Sequence, residues 1–161
     1  MIFTVILVVQ SLVLHNFWNA HRSHPYPSFD VWDLDTVDDG VTLHLAVEMG
    51  RRDWNVLIAH CLGVDHCGHR FGPQHPRMRT KLGQMDALIR RTAASLQPQD
   101  LLLVLGDHGM TATGDHGGDS EEEVAAAFWA FSPGRSFQHR PPAVMDQVRT
   151  DILLLEICLR V

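Results

Sequence analysis

Two short stretches of this chain concentrate the side chains that could do chemistry. Leu105 to Ser120, LGDHGMTATGDHGGDS, holds three Asp, two His and five Gly. Upstream, Gly63 to His69 reads GVDHCGH, with Asp65 and His69 separated by three residues. Carboxylate oxygen and imidazole nitrogen together are the donor set of a divalent metal, zinc above all, with manganese also admitted because no Cys joins the set. Asp65 and His69 can reach one ion from a single turn of chain. Asp107 and His108 follow directly on an apolar run, and His116 lies beyond Gly109 and Gly114 in a loop able to fold back. Two ions about 3.5–4 Å apart would clamp the attacking and leaving oxygens of a phosphoryl transfer.

Not every polar residue in these stretches carries that expectation. Asp115 and Asp119 read as turn residues that brace the loop or hold His116 from behind. His60, His66 and His75 fall under the same turn reading. Met78, Met85 and the Leu between them read as helix core, and Glu121, Glu122 and Glu123 as a solvated face.

The elements that must position these residues follow from pattern. Each cluster begins where an apolar run ends, at WNVLIAHCLGVD and at DLLLVLGDHG. Thr36 can cap a helix beginning at Val37, with Asp38 and Asp39 near its positive end, and Gly50 is a natural stop. Its apolar face is Val37, Val41 and His44 or Leu45. Trp54 to Leu62 reads as a buried strand delivering GVDHCGH as a loop. After Pro73 and Pro76, the positions Met78, Leu82, Met85, Leu88 or Ile89 and Leu96 recur at helical spacing. Gln97 to Asp100 turn, Leu101 to Leu105 form a second buried strand, and Val124 to Phe131 a third. Alternation of helix and strand predicts an α/β fold with a mostly parallel sheet and flanking helices. In open sheets of that kind, ligands sit at the carboxyl ends of the strands, where both clusters fall.

Composition sets outer bounds. The 161 residues suit one domain, with a charged fraction of 20% and an apolar fraction of 45% that are ordinary for a globular protein. A formal charge of −6 without a basic run excludes a nucleic-acid surface. Cys61, Cys67 and Cys158 include no Cys-x-x-Cys pair, and a Cys61–Cys67 disulfide stays open. The apolar start, MIFTVILVVQSLVLHNFW, reads either as a buried strand or helix or as a targeting or anchor segment; no basic n-region precedes it.

On these motifs the chain resembles the alkaline phosphatase superfamily of metal-dependent phosphate enzymes. More narrowly it resembles the GPI ethanolamine phosphate transferases, and WDLDTVD favours the type 3 subfamily. The matching segments are PSFDVWDLDTVDDG (27–40), DWNVLIAHCLGVDHCGHRFGPQHPRM (53–78), LGQMDALI (82–89) and GDHGMTATGDHGGDSEEEVAAAFWAFSP (106–133). The resemblance implies transfer of phosphoethanolamine from phosphatidylethanolamine to a mannose of the GPI precursor. It places that work at the endoplasmic reticulum membrane with the catalytic part lumenal, and implies a membrane subunit partner. By matching positions, Asp65, His69 and His116 would hold one zinc, and Asp107 with His108 part of a second. A Thr or Ser nucleophile would take the phosphoryl group covalently.

The family pattern sets its first Asp-Gly ligand and that nucleophile upstream of PSFDVWD, where residues 1–26 contain no Asp. No catalytic residue is therefore assigned, one zinc site is expected to be complete, and the chain is expected to be a truncated, inactive product. The expected organisation is an apolar or irregular segment over 1–26, a partial alkaline-phosphatase-like catalytic domain over 27–148, and an unplaced tail over 149–161.

Overall fold

The computed structural model describes residues 5–9, 24–27 and 30–136. Most of the 1–26 segment and the whole 149–161 tail lie outside the described residues. The element order is β1 (Val5–Val9), α1 (Thr36–Arg51), β2 (Val56–His60), α2 (Gly63–Phe71), α3 (Pro76–Ala94), β3 (Leu101–Leu105), α4 (Glu121–Val124) and β4 (Phe128–Phe131). The fold is mixed α/β, as the alternation predicts.

The sheet corrects the expectation of mostly parallel strands. Its order is β2-β1-β3-β4, and each neighbouring pair is antiparallel. Helices carry the chain from β2 to β3, so these two strands do run the same way, as a crossover requires. Strand β1 lies between them in the opposite direction. Strand β4 returns from the carboxyl end of β3 through a loop instead of a crossover, so it too is antiparallel. What matters for the site survives this change. His60 and Leu105, the last residues of β2 and β3, both pair with Val5. The two strands therefore release their loops at the same end of the sheet.

The elements differ in detail from their predicted forms. Thr36 is the first helical residue of α1, and Asp33 accepts the amides of Asp35 and Thr36 at 3.1 and 3.0 Å. Those bonds hold the Asp33 carboxyl down at a pKa of about 2. The helix also passes Gly50 and ends at Arg51, with the C-cap residue Arg52 at φ +57. A left-handed Arg costs about 1 kcal/mol. It is offset by bonds from its guanidinium to Asp100 Oδ2 at 3.0 Å and to the Ser95 carbonyl at 2.8 Å. GVDHCGH forms helix α2 instead of a loop. Strand β2 lies at the sheet edge with Ile58 exposed, whereas Leu102 and Leu103 of β3 are fully buried. Glu121 to Val124 are helical, closed by a Ser120–Glu123 capping box, so the last strand starts at Phe128.

The core gathers Leu45 and Met49 of α1, Val64 and Cys67 of α2, Met78, Met85 and Leu88 of α3, and Leu102 and Val104 of β3. Leu82, expected in it, is exposed; Lys81 beside it is buried and ion-paired instead. Cys61 and Cys67 are both buried and free. Among the described residues, no helix is long and apolar enough to cross a membrane.

Candidate metal centre

Helix α2 begins three residues after β2 ends, so Asp65 and His69 lie at i and i+4 on one helical face. The loop after β3 folds back over them and brings His116 to the same point. His69 Nε2 and His116 Nε2 stand 2.9 Å apart. Asp65 Oδ2 is 3.5 Å from His69 Nε2, and Asp65 Oδ1 is 3.3 Å from His116 Nε2. Three side chains thus converge on one volume.

The geometry of the donor set bears on whether a zinc ion fits it. Bond lengths of about 2.0–2.2 Å at tetrahedral angles separate neighbouring ligand atoms by about 3.3–3.5 Å. The two imidazole nitrogens are closer than that by a few tenths of an ångström, and each meets a different oxygen of Asp65, Oδ2 at 3.5 Å and Oδ1 at 3.3 Å; taken with one ligand atom per residue, the three donors lie within 4.8 Å of one another. Asp65 Oδ1 is moreover buried with no hydrogen-bond donor, a costly arrangement unless a cation or proton meets it. The two facing imidazole nitrogens share one proton in a hydrogen bond, and both present lone pairs to a common cation when that proton is lost. The residues fit a metal.

Asp107 and His108 adjoin this cluster. His108 Nε2 is 3.9 Å from both Asp65 Oδ1 and Asp107 Oδ1, and its ring stacks on His116 at 3.8 Å. His108 Nδ1 donates to the Gly109 carbonyl at 2.8 Å, which leaves Nε2 as the acceptor nitrogen. His60, at the carboxyl end of β2, approaches Asp107 Oδ2 at 3.4 Å. Hydrogen bonding to Asp107 raises the pKa of His60, and the same bond lowers that of Asp107.

The supporting residues divide. Asp115 accepts from Thr113 Oγ1 at 2.9 Å, while its amide donates to Thr111 Oγ1 at 3.0 Å, so it braces the loop ahead of His116. Asp119 is exposed; Glu123 instead grips the Gly118 amide and the Ser120 hydroxyl. His66 bonds the Asp33 carbonyl through Nδ1, and His75 caps α3 by accepting from the Arg77 amide. His60, read from the sequence as a turn residue, is instead the last residue of β2 and faces Asp107, and its place at the end of an apolar run is the signal that marks a strand end. Asp38, read from the sequence only as a charge near the positive end of α1, and Lys81 are both buried, and that burial has no sequence signal.

Comparison with known proteins agrees with this chemistry. A family model described as type I phosphodiesterase / nucleotide pyrophosphatase matches residues 10–148. The chain is 56% identical over 117 residues to the human GPI ethanolamine phosphate transferase 3, catalytic subunit, covering 73% of this chain and 11% of that protein. It is 40% identical over 144 residues to GPI ethanolamine phosphate transferase 3 of Schizosaccharomyces pombe, covering 88% and 16%. It is 42% identical over 129 residues to GPI ethanolamine phosphate transferase 2 of Eremothecium gossypii, covering 80% and 16%. The chain therefore spans between 11% and 16% of the length of these relatives. No solved structure matches.

Proposed function

The chain belongs to the type I phosphodiesterase / nucleotide pyrophosphatase family, and on that footing we propose that it is the metal-holding part of a GPI ethanolamine phosphate transferase. The reaction proposed is transfer of phosphoethanolamine from phosphatidylethanolamine to a mannose of the GPI precursor. The proposed setting is the lumenal face of the endoplasmic reticulum membrane. The convergence of Asp65, His69 and His116 on one volume carries the reading, supported by the names of the similar proteins.

Asp65, His69 and His116 would hold one zinc, and Asp107 with His108 would contribute to a second. Bound there, zinc would supply Lewis-acid stabilisation of charge on a phosphoryl oxygen. The chain's own groups prepare that place. Asp65 brings negative charge to a point ringed by imidazoles. The Gly109 carbonyl fixes the His108 tautomer, and Asp107 is held through both oxygens, Oδ2 lying 3.4 Å from His60 Nε2 and Oδ1 accepting the His108 amide at 3.2 Å. No nucleophile is assigned, and two ligands are fewer than a second ion needs. The isolated chain is accordingly proposed to bind one zinc with negligible turnover.

Metal analysis of the purified chain should return one equivalent of zinc, and His69→Ala should abolish it. Two equivalents together with hydrolysis of a phosphodiester model substrate would overturn the proposal. Manganese in place of zinc would change the metal and leave the ligands. The family description, which names phosphodiesterase and nucleotide pyrophosphatase activities, favours a second reading as a hydrolase of another phosphate ester. Supplying a complete enzyme of this type with GPI mannolipid or with water alone as acceptor separates the two.

A further inference from the structure

Helix α2 carries two of the three convergent ligands, yet at nine residues it is too short to hold itself. Its own N-cap residue, Leu62, has no side-chain acceptor. The acceptor comes from another helix. Asp38 of α1 is buried, and its Oδ1 accepts both the Leu62 amide at 2.9 Å and the Gly63 amide at 3.0 Å. Its Oδ2 lies 2.9 Å from Lys81 Nζ, which also meets Asp35 Oδ1 at 3.0 Å. Space around this joint is closed. A Cβ on Gly63 would fall 2.3 Å from both Asp38 Oδ2 and Lys81 Cε, and 2.4 Å from the Leu34 carbonyl oxygen.

Three helices thus meet at one carboxylate, two residues before Asp65. A buried ion pair contributes little net stability, because desolvation offsets its attraction. Stability alone therefore gives a weak reason for it, whereas fixing the direction of α2 gives a direct one. We propose that Asp38 is a positioning residue for the metal centre: by capping α2 from α1 it sets the direction in which Asp65 and His69 present their ligand atoms. This rests on the reading of Asp65, His69 and His116 as metal ligands.

Cobalt titration of the full chain tests the inference, with affinity and the visible ligand-field spectrum as readouts and circular dichroism as the check on folding. Two double variants isolate the cap. Asp38→Asn with Lys81→Met removes both charges but keeps a carbonyl acceptor for the two amides. Asp38→Leu with Lys81→Met removes the acceptor as well. The Asn variant should bind within about threefold of wild type with an unchanged spectrum. The Leu variant should bind about tenfold to a hundredfold more weakly with an altered spectrum, the range seen when groups supporting metal ligands are lost. A folded Leu variant that matches the Asn variant overturns the inference. Should the Leu variant not fold, the Asn variant decides: a loss beyond about threefold overturns the inference, and affinity within about threefold supports it. Failure of wild type to bind cobalt at all overturns the ligand reading itself, and this inference with it.

Discussion

Gly114 offers a way to disturb the metal centre without touching a ligand. It sits two residues before His116 with φ +91, and the loop packs there against α2. A Cβ at this position would lie 2.4 Å from the Gly68 carbonyl oxygen and 3.5 Å from His69 Cα. The oxygen belongs to helix backbone, which cannot rotate aside, so the loop must retreat by about 1 Å to restore ordinary contact. His116 Nε2 stands 2.9 Å from His69 Nε2 and 3.3 Å from Asp65 Oδ1, and would move with the loop. Metal–ligand distances tolerate only about 0.2 Å.

Two costs therefore attach to Gly114→Ala. An L-residue at positive φ costs about 1–3 kcal/mol of stability. Displacement of His116 adds a loss of zinc affinity of about tenfold to a hundredfold, or about 1.4–2.7 kcal/mol. Gly117 supplies the control, having φ +100 and no atom within 4 Å of an added Cβ. Gly117→Ala should carry similar backbone strain and lower the melting temperature of the metal-free chain comparably, while zinc affinity falls much less. Competition against a chromophoric chelator measures the affinity. Equal losses in the two variants, or wild-type affinity in Gly114→Ala, would refute the idea that contact with Gly68 sets the position of His116.

Other expectations rest on separate parts of the molecule. Arg52→Gly relieves about 1 kcal/mol of left-handed strain but strips buried Asp100 of its cation; breaking such a pair costs about 3–5 kcal/mol, discounted because the Arg52 side chain is one-third exposed. Urea unfolding should show a net loss of about 1–3 kcal/mol, and a gain would mean that backbone strain dominates. Burial pushes the Cys61 thiol up to about 12 and also raises Cys67. Neither should react with a disulfide reagent in the native chain, and both should in urea; rapid native labelling would contradict their burial. In the metal-free chain the His60–Asp107 pair should impose a pH dependence of stability. The His60 contribution, from a raised pKa, is complete below its ordinary 6.5 and lost as pH rises through the folded value. The Asp107 contribution, from a lowered pKa, is present above its ordinary 3.8 and lost as pH falls through the folded value. Stability difference between wild type and His60→Ala should thus be greatest between about pH 4 and 6.5, and a flat difference would argue against the pair.

How much of this was legible depends on whether local sequence or distant contact decides a feature. Strand β3 is legible to the residue because five apolar residues stand between a turn and a Gly. Helix α3 is legible because its apolar positions repeat and Pro76 opens it. Helix α2 was not, since GVDHCGH has two Gly and poor intrinsic propensity, and the acceptor at its first turn, Asp38, comes from another element. Arg52 and Lys81 show the same limit. Helical spacing points to Leu82 for the core, and Gly50 is the natural stop for α1. Carboxylates distant in sequence, Asp38 and Asp100, override both by drawing cations inward.

The candidate site stands between these cases. Its residue types were visible, and so was the rule that strand ends gather ligands, because both depend on composition next to an apolar run. The sheet's sense was not visible, because strand β1 comes from an apolar start whose sequence could equally serve a helix or an anchor. Yet the mistaken sense leaves the placement of ligands intact. An inserted antiparallel strand keeps β2 and β3 pointing the same way, and pairing of Val5 with both His60 and Leu105 keeps their ends level. For Asp65, His69, Asp107, His108 and His116 to meet, the necessary condition is common direction of two strands, and direct adjacency is not required. What adjacency would have changed is the distance between the strand ends. Asp65 and His69, at i and i+4 on α2, meet His116 of the loop that returns after β3, so the proposed role of Asp38 in directing α2 bears on the centre more than the sense of the sheet does.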